Sequence, residues 1–342
     1  MNQYIIRRLI QAIPTLFGIT LISFLLMLAT PGDPITMITF NPNSSPETTA
    51  QLRRQLGLDQ PPLVQYLYWL VGNDWAHIDI DGDGEGDIYG ARQGFLRGDL
   101  GQSIQYKRPV GDVILERVPA TLQLTVSAVV LGYLVGIPIG LLSAAKHRSW
   151  FDQGARVLSV IGDAVPSFWL ALILIIIFSV QLGVLPMSGM RDQTRINAPF
   201  DLGESIRYMI MPVSVLALGT VAFVSRFTRA QVLEVLSQDF VRTAYSKGLS
   251  GQAVLWGHVI RNALMPVATF IGPTLGSLLG GAVIIEQVFS WPGLGRLVVD
   301  AVFQRDYPLI MGSVVISAVM FIIGVLLSDV LYSLLDPRVR LQ

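Results

Sequence analysis

Six stretches of mostly apolar residues, each about as long as a lipid bilayer is thick, restrict this chain more than any other feature. A helix rising 1.5 Å per residue needs about 20 such residues to cross the hydrocarbon layer. The stretches run over residues 9–29, 122–145, 157–184, 208–227, 264–289 and 309–335. The fourth is interrupted by Pro212 and Gly219, which a bundle tolerates because neighbouring helices satisfy the freed backbone groups. Hydrophobic residues make up 52% of the 342 and charged ones 14%, too apolar for a soluble chain of this size. The expected fold is an all-α membrane protein of six transmembrane helices. The first helix follows Arg7 and Arg8 as a secretion signal would. Its apolar run is too long for a signal core, and "MLATPGD" lacks a small-x-small cleavage pattern, so a retained helix is expected.

Basic residues set an expected orientation. With the N-terminus inside, the inner ends and loops hold Arg7, Arg8, Lys146, Arg148, Arg156, Arg226, Arg229, Arg242, Lys247, Arg261, Arg338 and Arg340. The short outer loops hold only Arg191, Arg195, Arg207, Arg296 and Arg305. That asymmetry places both termini in the cytoplasm. Residues 1–30 then form an N-terminal transmembrane helix, 31–119 an external insert, and 120–336 a five-helix membrane domain with a cytoplasmic segment at 229–263. Formal net charge is +0, so no overall field draws the chain to nucleic acid. There are no cysteines, hence no disulfides and no thiolate chemistry, and the three histidines are too scattered for a metal cluster.

The external insert opens with two helix signals. Ser45 precedes Pro46 at a helix start and Gly57 marks its stop; "PPLVQYLYWLV" then begins on prolines and continues as an aromatic, apolar helix. Residues 73–93 follow as a Gly/Asp-rich surface loop. Within it Asp79, Asp81, Asp83 and Gly84 match the opening D-x-D-x-D-G of a calcium loop, with Glu85 and Asp87 adding oxygens. The twelfth position is Gly90, where a complete loop supplies a bidentate Glu. Two readings stand, a weak Ca2+ site and a solvated acidic turn.

Polar residues between spans carry the strongest functional signal. "LSQDFVRTAYSKGLSGQAVLWGHVIRNALMP" (236–266) reads as helix, break, helix: Gly248 ends the first with a left-handed cap, and Ser250 caps the next. A two-residue break makes a rigid, bent pair suited to docking another protein. In the first helix Asp239 lies in the opening turn. Phe240, Ala244 and Tyr245 are expected on one face, with Arg242 and Lys247 at its rim. Asp163 and Asp329 fall inside predicted spans, where a charge faces a cavity or a partner. For Asp163 an arginine-paired role near Arg156 stands beside a pathway role. Glu286, ahead of "VFSWPGLG", reads as structural, and "GPTLGSLLGGA" as a surface for close helix packing. No phosphate-binding loop, zinc helix or nucleophile elbow occurs, so no enzymatic role is expected of this chain.

Taken in order, several motifs resemble one family. They are "YIIRRLIQAIPTLFGITLISFLLM" with "PGDP", "GDLGQSI" with "RPV", "ERVPATLQL", "PSFWLALILIIIF" with "LGVLPMSG", "QDFVRTAYSKGLS", "RNALMPV", "FSWPGLGRL", "RDYPL" and "LYSLLDPRVR". Across nearly its whole length the chain resembles the membrane permease subunit of ATP-binding-cassette importers for dipeptides, oligopeptides and nickel. Its cytoplasmic segment resembles the coupling loop of such importers, whose general pattern is E-A-A, three residues, Gly. Arg242 and Thr243 stand where Glu and the first Ala would be, while Ala244 and Gly248 match.

The resemblance implies a subunit that forms half of a translocation pathway in the inner membrane and carries no cofactor. Its implied partners are a second related permease, two ATP-binding subunits that hold the ATP, and an extracytoplasmic solute-binding protein. ATP-driven closure would act through 239–248 to switch the pathway. From residues alone a secondary transporter or a channel remains the alternative. The first needs ion-coupling groups and usually internal repeats, the second a filter-like ring.

Overall fold

The computed structural model describes residues 2–29, 46–192 and 201–335. They are mainly helical. Helix α1 spans Asn2–Ala29, α2 Pro46–Gln55, α3 Pro62–Val71, α4 Val110–Leu115 and α5 Val118–Ala145. Helix α6 covers Trp150–Ala164, α7 Ser167–Leu174 and α8 Leu202–Leu236. Then come α9 Asp239–Ser246, α10 Gly251–Val254, α11 Ile260–Thr269, α12 Ile271–Val288, α13 Leu294–Phe303 and α14 Tyr307–Leu335. A two-stranded hairpin, β1 His77–Ile78 and β2 Ile88–Tyr89, pairs His77 with Tyr89 and Ile78 with Ile88.

Among the described residues, five helical segments have the length and apolarity to cross a membrane: Ile6–Ala29, Val110–Ala145, Leu202–Leu236, Gly251–Leu278 and Tyr307–Leu327. A bent pair supplies a sixth. The third expected span is broken: α6 and the helix continuing from Ser167 to Gln181 meet at 99°. Pro166 is the cause. Its ring disfavours helical backbone at the residue before it, and Val165 is extended with ψ 123°. The fifth expected span, 264–289, is carried by α11 and α12, with a one-residue interruption at Phe270.

The chain divides into two compact units. The one built on Pro119–Arg296 is organised along α8, a 35-residue helix that runs unbroken past Pro212. Asp201 caps its start, accepting the Gly203 N–H at 2.8 Å. Helix α5 approaches α8 through Gly132, Gly136 and Gly140, one helical face at four-residue spacing. A Cβ on Gly132 would lie 2.4 Å from Thr220 Cγ2, and one on Gly140 2.6 Å from the Ser225 carbonyl oxygen. Small residues at such a crossing let two backbones touch, which replaces the hydrophobic drive that lipid cannot provide. Gly276 does the same for α12, whose Cβ would meet the Phe321 ring at 2.4 Å.

The far end of α12 is fixed by a buried carboxylate. Glu286 is fully buried; its Oε1 accepts the Thr121 hydroxyl at 2.6 Å and its Oε2 the Arg296 N–H at 3.0 Å. Thr121 Oγ1 in turn accepts the Leu294 N–H at 2.7 Å, and Trp291 Nε1 donates to the Ala120 carbonyl at 2.9 Å. The "SWPGLG" turn is thereby tied to the start of α5. Gly293 is obligatory there, because a Cβ would sit 2.1 Å from the Glu286 carboxylate.

The second unit, built on Leu9–Val118 with Leu297–Val319, has a core of aromatic rings. Trp69 stacks on Phe95 at 5.3 Å and on Tyr66 at 5.8 Å, Phe24 tilts against Tyr66 at 5.5 Å, and the Tyr66 hydroxyl meets Thr20 Oγ1 at 2.9 Å. Asp306, fully buried, accepts from Ser103 Oγ, from the Gln105 N–H at 3.0 Å and from the Leu309 N–H at 3.2 Å, capping α14.

The glycine face of α5 is directly testable. Gly140→Val inserts two methyl groups against backbone that cannot move aside, and overpacking of this kind costs about 1–3 kcal/mol. A lowered melting temperature of the purified protein in detergent is the expected outcome; an unchanged one would mean that α5 and α8 do not meet there.

Candidate functional site

The polar segment after α8 folds as a small internally packed body. Val241 and Ala244 of α9 are buried at 1% and 5% exposure against Val232 of α8, Val254 of α10, and Val259 and Ala263 beyond it. Ala144 at the end of α5 closes the cluster. The linker carries the expected geometry. Gly248 has φ +80°, its N–H donates to the Tyr245 carbonyl at 2.9 Å, and the Ser250 hydroxyl accepts the Ala253 N–H at 3.3 Å to start α10.

One expectation about this segment is corrected. Phe240, Ala244 and Tyr245 do not act as one outward face, since Ala244 turns inward beside Val241. The spacing arithmetic groups residues correctly around a helix but does not say which side the rest of the chain takes. Phe240 (43% exposed) and Tyr245 (50%) remain outside, joined by Leu249 and by Trp256 (69%), which the sequence reading did not single out. Trp256 sits in Leu255–Val259, a π-helical turn between α10 and α11. Asp239 and Arg242 form an exposed i,i+3 pair at 3.5 Å, worth well under about 1 kcal/mol. Lys247 is the C-cap residue of α9 and is exposed. Large rings thus stand exposed on a segment that is closed from within.

Beneath that seat lies an ion pair that the sequence reading missed. Asp152, in the first turn of α6, is fully buried and receives two bonds from the Arg229 guanidinium of α8, Nε to Oδ1 at 2.6 Å and Nη2 to Oδ2 at 2.8 Å. The Arg148 N–H donates to Oδ2 at 3.0 Å. Bidentate geometry and a buried carboxylate make this a fixed joint between α6 and α8. Its residues stand 77 apart in sequence, and the only local signal is an Asp following the helix-capping Ser149.

The remaining acidic residues separate clearly. Asp163 pairs with Arg226 of α8 rather than with Arg156, and its side chain stays 45% exposed. Asp329 is carried on α14, but its side chain lies outside the described residues. In the external loop Asp79, Asp81 and Asp87 bring one carboxylate oxygen each within 4.8 Å of one another, while Asp83 and Glu85 stand apart from that group. The loop itself consumes these carboxylates. Asp79 accepts the Gly82 and Gly84 N–H groups at 2.5 and 2.9 Å, Asp87 the Ile80 N–H at 2.8 Å, and Asp83 the Glu85 N–H at 2.8 Å. Those backbone donors at Gly82 and Gly84 hold the Asp79 carboxyl below the usual range. The geometry is that of an acidic turn wound on its own backbone, and nothing in it requires a cation.

Membrane-length helices, with an internally packed polar helix pair between them, define a multi-pass membrane protein. Comparison with known proteins gives its kind. Residues 136–341 match the model of the family described as binding-protein-dependent transport system inner membrane component, and residues 1–125 match that of its N-terminal part. The chain is 43% identical over 341 residues to the oligopeptide transport system permease protein AppB of Bacillus subtilis (strain 168), covering 99% of this chain and 100% of that one. It is 39% identical over 358 residues to the dipeptide transport system permease protein DppB of Escherichia coli (strain K12), covering 99% of each. Among solved structures, the MetNI methionine ABC transporter in inward-facing conformations aligns with TM-scores of 0.51 and 0.53 in two crystal forms, at 16% and 15% identity over 66% of this chain and 96% of that one. At that identity the likeness concerns the fold alone.

The chain therefore belongs to the family of binding-protein-dependent transport system inner membrane components. It is a multi-pass inner-membrane subunit that works with an ATPase and a binding protein and catalyses nothing itself.

The Asp152–Arg229 joint predicts a large effect from a single truncation. Removing one partner of a buried pair leaves an uncompensated charge and costs about 3–5 kcal/mol. Arg229→Ala is expected to lower the melting temperature sharply, and Asp152→Asn combined with Arg229→Met to recover most of it. Equal melting of wild type and Arg229→Ala would show the joint to be open.

Proposed function

We propose that this chain forms one half of the peptide translocation pathway of an ATP-driven importer and receives the ATPase stroke through α9 and the turn that follows it. The observation that carries the peptide assignment is identity of 43% and 39% along the full length of two proteins named for oligopeptide and dipeptide transport. A second related permease completes the pathway, two ATP-binding subunits dock on the cytoplasmic side, and the solute-binding protein delivers from outside. Both termini lie in the cytoplasm, in keeping with the excess of Arg and Lys at that side.

The coupling assignment rests on the division of labour within α9. Val241 and Ala244 seat the helix, so force applied to it passes into α8 and α10. Phe240, Tyr245 and Trp256 are large exposed rings on a polar segment, the residue types that dominate protein docking. Gly248 fixes the angle between the two helices. Its φ of +80° strains any other residue, while the space where a side chain would go is open. Substitution there therefore alters the backbone without a collision.

Two variants test the reading in the reconstituted complex. Phe240→Asp places a charge in an apolar contact and is expected to release the ATPase subunits while the protein stays inserted. Gly248→Val costs about 1–2 kcal/mol of left-handed strain and is expected to preserve assembly while transport falls relative to ATP hydrolysis. Normal ATPase retention and substrate-stimulated hydrolysis in Phe240→Asp would reduce α9 to a connector.

Topology is tested separately. Single cysteines at Ser44, Ser188 and Ser250, in a chain that has none, should react with an impermeant thiol reagent added to intact spheroplasts at the first two sites only. Labelling of the Ser250 site from outside would invert the orientation.

A further inference from the structure

The unit built on Leu9–Val118 encloses a cavity of 580 Å3 that peptide movement through the membrane bundle does not explain. Its walls are largely apolar. Met27 and Leu28 come from the last turn of the first membrane-length helix, Trp69 from α3, and Met311 from α14. Cavities of this volume enclose ligands of a few hundred daltons.

Three charged residues, Arg53, Asp99 and Arg92, line the cavity, and Arg53 is already engaged. Asp99 is engaged by its own loop, its Oδ1 accepting the Gly101 N–H at 2.8 Å and its Oδ2 the Gln93 N–H at 3.0 Å. Arg92 is different. Its backbone N–H is held by Asn73 Oδ1 at 3.0 Å, yet its guanidinium has no hydrogen bond or ion pair among the described residues. Burial pushes the Arg92 guanidinium pKa down, opposed only by the field of Asp99. Arg92 is half-buried, and a guanidinium drawn partly out of water without a partner gains from an anionic one. A peptide would bring an ammonium as well as a carboxylate, and the cavity offers it no free acid. The complementary occupant carries one anionic group and a flexible apolar body.

We propose that this cavity binds an anionic amphiphile, with an acyl chain against Met27, Leu28, Trp69 and Met311 and a carboxylate or phosphate on Arg92. The chemistry is shared by a free fatty acid and by an anionic phospholipid of the surrounding leaflet. Occupancy would fix the outer end of α1 against α3 and α14 within this unit.

Trp69 provides the readout. The full chain, with its partner subunits, is placed in phosphatidylcholine nanodiscs containing dibrominated stearate or dibrominated phosphatidylglycerol, and quenching is taken as the difference between wild type and Trp69→Phe. Loss of a charge-assisted contact of at least about 1.4 kcal/mol is tenfold in affinity. Half-quenching in Arg92→Gln is accordingly expected at a mole fraction about tenfold higher than in wild type, with Arg92→Lys between them. Arg92 has no partner to lose, so the melting temperature of Arg92→Gln should equal that of wild type. Quenching by stearate alone identifies a single-chain occupant, and quenching by both probes a site open to membrane lipid; either supports the proposal. It is overturned if neither probe quenches Trp69, if Arg92→Gln quenches like wild type, or if dibrominated phosphatidylcholine quenches equally well. Displacement of brominated stearate by dialanine as readily as by unlabelled stearate would overturn it in favour of a peptide site.

Discussion

Helix α8 is the member on which the rest of the membrane unit depends. It contributes Met211, Val213 and Val215–Ala217 to one buried cluster, Val224 to a second and Val232 to the third, which seats α9. One unbroken helix thus links the first cluster to the one that seats α9. In lipid such a rod cannot be held by hydrophobic burial alone, because the tails are as apolar as its side chains. Two other forces hold it. The glycine face of α5 gains dispersion contact at backbone distance, and the Asp152–Arg229 joint fixes the inner end with bonds that water does not screen.

That arrangement gives the coupling segment a mechanical character. Helix α9 is short, and eight residues do not make a stable helix alone. Its order comes from Val241 and Ala244 reaching into the cluster shared with Val232, Val254 and Val259. Helix α9 is thereby packed on α8 and on the helix beginning at Gly251. Between them stands Gly248, whose left-handed backbone makes the joint stiff in angle without filling space.

Much of this was legible in the sequence because it depends on short-range rules. Apolar run length marks spans, and Gly248 and Ser250 are recognisable caps on their own. Glu286 was legible as structural from the turn chemistry after it, although its partner Thr121 lies 165 positions away. What the sequence withheld depends on three-dimensional neighbours. The run 157–184 is mostly apolar, so hydropathy alone does not divide it, and Pro166 inside it was the hint of the 99° bend. Ala244 fits either face of α9, since a methyl group suits a dock or a core, and the direction was set by Val232 and Val254. Asp163 had Arg156 two turns away along its own helix, yet the geometry gave it Arg226 on α8. The acidic loop left two readings open, because alternate aspartates suit both a hard cation and capping of their own backbone; the structure shows the capping bonds.

The bend at Pro166 bears on how the subunit moves. A continuous third span would have needed one rigid-body tilt to change the pathway. Two segments joined at Val165–Pro166 can rotate about a two-residue pivot, a displacement that hinge geometry absorbs in a few backbone angles. The inner segment, α6, is bolted to α8 through Asp152 and Arg229, whereas the outer one begins at Ser167 beyond the pivot and packs against α8 and α12. The first half of this broken span is thus tied to α8, and α8 to α9 through Val232. Two buried contacts, one apolar and one ionic, connect α9 to α6 on the near side of the bend.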